Sequence, residues 1–138
     1  MSVAQTSAAF VADPELLREL AKRATPIALG GDRILFRQGD VPRAVFLLNK
    51  GVVRLTTRSD GDAVLSVLAA TGSLLGVPAV VGAKPYSLTA EALVGAEISM
   101  LSCGDFVHLM HTDPTLSFRV LQVLAEEVRF ARESLSHL

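Results

Sequence analysis

The run Val45-Phe46-Leu47-Leu48-Asn49-Lys50-Gly51-Val52-Val53-Arg54-Leu55 continues through Thr56-Thr57-Arg58-Ser59-Asp60-Gly61-Asp62 to Ala63-Val64-Leu65-Ser66-Val67-Leu68. It sets the fold class. Three short apolar or alternating segments are divided by Asn49-Lys50-Gly51 and by Asp60-Gly61-Asp62. Asp-Gly between strand-like runs is a strong hairpin signal, because a two-residue turn of the right twist needs positive φ at both positions. The pattern extends in both directions. Segments 33–36, 44–48, 52–57, 63–68, 86–92 and 96–101 read as strands, punctuated by Gly30-Gly31, Gly39-Asp40, Gly72, Gly76, Gly82 and Gly95. Short strands at this spacing predict an all-β sandwich or barrel. No helical period intervenes, which argues against a parallel α/β sheet.

Helical signals flank this zone. Residues 1–12 are small and polar and read as a weakly docked arm. Asp13-Pro14 then opens a helix, the Asp oxygen capping free N–H groups and Pro taking the first helical position. Leu16, Leu17, Leu20 and Ala21 form its apolar face, and Thr25-Pro26 ends it. Ser102 with Asp105 resembles a capping box for a helix reaching Met110. Asp113-Pro114 repeats the start signal for a last helix running to Leu138, roughly 37 Å at 1.5 Å per residue. Two apolar stripes run along that helix. Leu121, Leu124, Val128, Ala131, Leu135 and Leu138 follow a heptad, while Leu116, Val120, Val123 and Phe130 form a second, offset stripe. One stripe docks a helix on its own domain, and two predict a homodimer seam, here assigned to Leu121, Leu124, Val128, Ala131 and Leu135. The expected organisation is an arm and helix over 1–26, a β-roll with a short following helix over 27–112, and a dimerisation helix over 113–138. The seam still runs at Leu138, as in a piece of a longer protein or an unusually short one.

Composition bounds the function. The 138 residues are 50% hydrophobic and 20% charged, enough for one globular domain. Thirteen basic and fourteen acidic side chains leave a net charge of −1, unlike the basic excess of a phosphate-backbone binder. One cysteine, Cys103, excludes an internal disulfide and a cysteine-only iron–sulfur or zinc site. No membrane span or signal peptide is legible, so the reading is soluble and cytoplasmic. The β-zone holds no His, which argues against the metal-dependent barrel enzymes called cupins. His108, His111 and His137 all follow it. His108 and His111 with Cys103 are a minor haem or metal candidate; helix-end His pairs more often meet solvent or the last carbonyls. No nucleophile elbow, phosphate loop or nucleophile–base pair is present, so no enzymatic activity and no resident metal are expected.

Together these features resemble the cyclic nucleotide-binding domain of the Crp–Fnr regulator family. The carriers are Leu35-Phe36-Arg37-Gln38-Gly39-Asp40, the hairpin from Val45 to Leu55, Gly72-Ser73-Leu74-Leu75-Gly76, Asp105-Phe106 and Asp113-Pro114, over residues 27–138. The resemblance implies a double-stranded β-helix, or jelly roll, of eight strands followed by a long dimerisation helix. It implies the sensor half of a transcription regulator, with DNA contacted only through a helix-turn-helix domain absent from this chain. A ligand-free dimerisation or interaction module is the alternative, and a haem-based gas sensor a more distant one.

The ligand cassette departs from the family. There, a Gly-Glu at the start of a short helix holds the ribose hydroxyl, and an Arg followed by Ser or Thr clamps the cyclic phosphate. This chain has Gly76-Val77-Pro78 and Pro85-Tyr86-Ser87-Leu88-Thr89. Gly76 and Ser87 carry over; the acid is Val77 and the Arg is Tyr86. Without the Arg a buried phosphodiester lacks its charge partner, which predicts altered or lost cyclic AMP binding. Ala131 and Arg132 stand where family members meet the base, and Arg132 reads as an anion contact or a surface charge. The expected ligand-facing set is Gly76, Val77, Tyr86, Ser87, Thr89 and Arg132. It suits a cyclic nucleotide held weakly, another small anion or a neutral polar ligand, unless Ser87 and Thr89 merely alternate outward.

Overall fold

The computed structural model describes residues 6–30 and 33–135, apart from the side chains of residues 63 and 64. Leu138 and His137 lie outside these residues. The elements run β1 (Thr6–Ser7), α1 (Pro14–Ala21), β2 (Thr25–Ile27), β3 (Ile34–Phe36), β4 (Ala44–Lys50), β5 (Val53–Ser59), β6 (Asp62–Ala69), β7 (Leu74–Leu75), α2 (Val77–Gly82), β8 (Thr89–Ala92), β9 (Glu97–Ser102), α3 (Cys103–Thr112) and α4 (Pro114–Leu135). A five-stranded sheet, β1-β6-β5-β8-β3, faces a four-stranded one, β2-β9-β4-β7. All pairings are antiparallel except β1 with β6. The jelly-roll class expected from the sequence is what the chain adopts.

Local chemistry accounts for the boundaries. Asp60 and Gly61 both take positive φ, 54° and 85°, and turn β5 into β6. Asp13 Oδ1 accepts from the N–H groups of Glu15 and Leu16 at 3.0 Å, opening α1. Ser102 Oγ accepts from Asp105 N–H at 3.2 Å at the start of α3. Asp113 Oδ1 accepts from Leu116 N–H at 3.1 Å at the start of α4. Several segments differ from the sequence reading, among them the short strands β2 and β7, which it did not list. Strand β8 begins only at Thr89, because Tyr86 gives its backbone groups to the turn before β4: its N–H donates to Asp40 O and its carbonyl accepts from Gly39 N–H. The arm is also firmly docked from Thr6 onward. It pairs with β6, and Phe10 is buried because its ring fills apolar space inside the roll.

Two cores share strand β4. Phe46 and Leu48 point into the roll with Phe36, Leu55 and Tyr86, while Val45 and Leu47 point out toward Leu16, Leu20, Phe106 and Leu116 on the helices. Alternation along a strand buried on both faces explains why 44–48 reads as an unbroken apolar run. Helix α4 spends one stripe on this second core: Leu116, Val120 and Val123 are buried. Phe118, Leu121, Val128 and Leu135 remain exposed, at 62%, 57%, 49% and 66%.

Candidate ligand cavity

The space between the roll and α4 is where the sequence reading places a ligand. Here it narrows to a cavity of about 40 Å³, lined by Phe10, Phe36, Leu55, Leu75 and Leu88 with Gly76, Tyr86, Ser87 and Glu127. Tyr86 closes much of it. Its ring stacks on Phe36 with centroids 4.0 Å apart and planes inclined by 17°. Its hydroxyl donates to Ala44 O at 2.7 Å and accepts from the N–H groups of Arg43 and Ala44 at 3.2 and 3.3 Å. Gly76 sits against the same ring with φ 90°. A Cβ there would approach both Tyr86 Cε1 and Ala44 O to 3.2 Å, so glycine is required by conformation and by space. Gly76 also precedes α2, which packs Val77, Ala79 and Val80 inward.

The expected ligand-facing residues separate in space. Gly76, Tyr86 and Ser87 line the cavity. Val77 turns away from it into the outer core, as a β-branched apolar side chain does when an apolar pocket lies behind it. Thr89 commits its hydroxyl oxygen to Gln38 N–H at 3.0 Å. Arg132 is exposed and lies outside the lining. At 3.6 residues per turn it lies on nearly the opposite side of α4 from Glu127 and Phe130, which face the roll. The hydroxyl of Tyr86, expected to be a ligand contact, is engaged by the β4 backbone instead.

Sequence reasoning missed Glu127. It continues the inward stripe of α4, since 116, 120, 123, 127 and 130 alternate by four and three, and an acid interrupting an apolar stripe is the signal that marks it. Burial pushes its carboxyl up from 4.5 to about 7, with no charged neighbour contributing. Beside it Phe130 meets Phe10 edge-on, with centroids 6.0 Å apart. Among the described residues no basic side chain lines the cavity.

On the outer side of α4, Leu121, Val128 and Leu135 lie on the exposed ridge together with Phe118, which the heptad reading left out. Ala131 is exposed too. Leu124 is half-buried and packs against the outer core, so it belongs to the docking side of the helix. His108 and His111 are exposed and Cys103 is half-buried. Among the described residues no group of three His, Cys, Asp or Glu side chains is placed to hold a metal. No described helix is long and apolar enough to cross a membrane.

Comparison with known proteins agrees with the architecture. None of the curated protein sequences matches. Among solved structures, the catabolite activator protein of Thermus thermophilus superposes with a TM-score of 0.75 at 25% identity, over 94% of this chain and 62% of that one. A cyclic nucleotide-binding domain from Methylobacillus flagellatus gives 0.70 at 22% identity, over 91% of this chain and 72% of that one. The sensor domain of the transcriptional regulator DNR from Pseudomonas aeruginosa gives 0.65 at 19%, over 88% and 82%. The chain thus spans 62% of the length of the activator it resembles. The family model described as "Cyclic nucleotide-binding domain" matches residues 26–113, and the chain belongs to that family.

Proposed function

We propose that this chain is the sensor half of a Crp–Fnr-like regulator, a cytoplasmic, non-enzymatic homodimer that has given up tight cyclic AMP binding. One observation carries the reading: the cavity beside the cassette-like residues Gly76, Tyr86 and Ser87 measures about 40 Å³, and among the described residues no basic group lines it. Pockets for ligands of nucleotide size run to about 300–1,000 Å³. A cyclic phosphate would also have to displace the Tyr86–Phe36 stack and then lie without a positive partner. The exposed ridge Phe118, Leu121, Val128 and Leu135 supports a dimer seam along α4. The relay would be movement of α4 relative to the roll, reorienting DNA-binding domains joined beyond it. Such a relay needs an effector with different affinities for two helix positions. Isothermal titration with cyclic AMP and cyclic GMP tests the proposal. Flat titrations to millimolar concentration are expected, and saturable heat with either nucleotide overturns it.

A further inference from the structure

We propose that Glu127 makes the second half of α4 a proton-operated latch on the roll: with the carboxyl neutral the helix lies over the cavity, and with it ionised residues 124–135 loosen. This deepens, and rests on, the reading of α4 as the relay, because it names the proton as the effector. Size argues first. A cavity of about 40 Å³ has room for a water or two. A molecular effector must expel Phe10 or Tyr86, whereas a proton displaces nothing.

The attachment of α4 is uneven, as a latch requires. Its first half is fixed by the buried Leu116, Val120 and Val123. Arg119 adds a clasp, with its guanidinium 2.8 Å from Asp13 Oδ1 and 2.9 Å from Glu15 Oε2. Beyond Val123 no residue of α4 is fully buried, and contact with the roll passes through Glu127 and the Phe130–Phe10 pair. A surface cleft of about 340 Å³, lined in part by Ser7, Ala9, Phe130 and Glu133, lies between the arm and this half beside that contact. The helix can therefore swing at Val123, with half-buried Leu124 leaving the edge of the outer core while Leu116, Val120 and Val123 hold it.

The charge environment leaves the carboxyl to solvation alone. Of the residues that face it from the arm, β3, β5, β7, α2 and the loop before β8, Tyr86 alone carries a titratable group, and its hydroxyl is held by Ala44. On α4, Arg129 lies between Glu126 and Glu133, at 3.8 and 3.5 Å. Among the described residues no cation offsets the effect of burial on Glu127, so when it ionises the charge depends on water. Docked and neutral, it holds its proton to about pH 7; released into water it returns toward 4.5. Raising the pH through that interval therefore favours release, by a factor on the order of 100 at the upper end.

Hydrogen–deuterium exchange of the full chain between pH 5.5 and 8, expressed as protection relative to unstructured peptide, reads the latch directly. Protection of amides 124–135 should fall about tenfold or more as pH rises, while β4 and β5 stay constant. The Glu127→Gln variant, which keeps the shape and cannot ionise, should hold 124–135 protected at both ends. A second variant, Glu126→Gln, should behave like the parent. Protection that is independent of pH in the parent, or that falls equally in Glu127→Gln, overturns the latch. If cyclic AMP binds saturably, the closed-pocket reading fails by itself. Flat titrations with a pH-independent helix sink only the latch.

Discussion

Tyr86 lies flat on Phe36, 4.0 Å between centroids, with its hydroxyl bonded to Ala44 at the start of β4. The position that resembles the family's phosphate-clamping Arg thus holds part of the roll's core. The ring fills the site, and the hydroxyl satisfies backbone groups that would otherwise be buried unpaired.

Tyr86→Phe keeps the stack and removes the hydroxyl, leaving Ala44 O without that donor. A loss of about 1–2 kcal/mol is expected, read as a lower urea midpoint with an unchanged slope. A change below a few tenths of a kcal/mol would mean that water replaces the bond.

Gly76→Ala places a methyl group in a left-handed conformation and 3.2 Å from both Tyr86 Cε1 and Ala44 O. Strain and crowding together should cost about 1–3 kcal/mol. Gly30→Ala, with open space around its Cβ, serves as the control and should be near neutral. Thermal unfolding distinguishes the two.

Leu121→Glu combined with Val128→Glu charges the exposed ridge of α4 without touching either core. Sedimentation velocity should show a monomer, and the unfolding transition of the separated chain should stay sharp. A dimer that survives both changes would place the seam elsewhere.

Stability should depend on pH through Glu127. Its folded value of about 7 lies above the unfolded 4.5, so its favourable contribution is complete below about pH 4.5 and is lost as pH rises toward 7. The loss is at most about 3 kcal/mol and levels off above that pH. Urea midpoints at pH 5 and pH 8 should differ in the parent protein, and the difference should shrink in Glu127→Gln. Carboxyl carbon chemical shifts give the midpoint directly.

Much of the fold was legible because its signals are local. Asp60-Gly61, the Asp13-Pro14 and Asp113-Pro114 caps, and the apolar run of β4 each act through neighbours a few residues away. The arm was not legible in this way. Phe10 is one aromatic among small polar residues, and its burial depends on a cavity built by β3, β5 and the loop before β8. The site was half legible. The replacements at Val77 and Tyr86 are visible in the chain, but which way each side chain turns is not, because the phase of the short helix α2 decides it for Val77 and the loop's hydrogen bonds to Gly39 and Asp40 decide it for Tyr86. The same holds for α4, where two stripes were plain and their partners were not.

The sequence by itself determined the roll, its hairpin, the helix starts and the absence of a cassette Arg, all of which follow from residue identity and short-range spacing. Tertiary structure alone decided that Tyr86 fills the candidate cavity, that Arg132 misses it, and that Glu127 is the carboxyl lining it. The reason is dielectric as well as geometric. A carboxyl on a helix is ordinary in water, and at Glu127 burial beside a cavity lined by Phe10 and Phe36, from two separate segments, raises it.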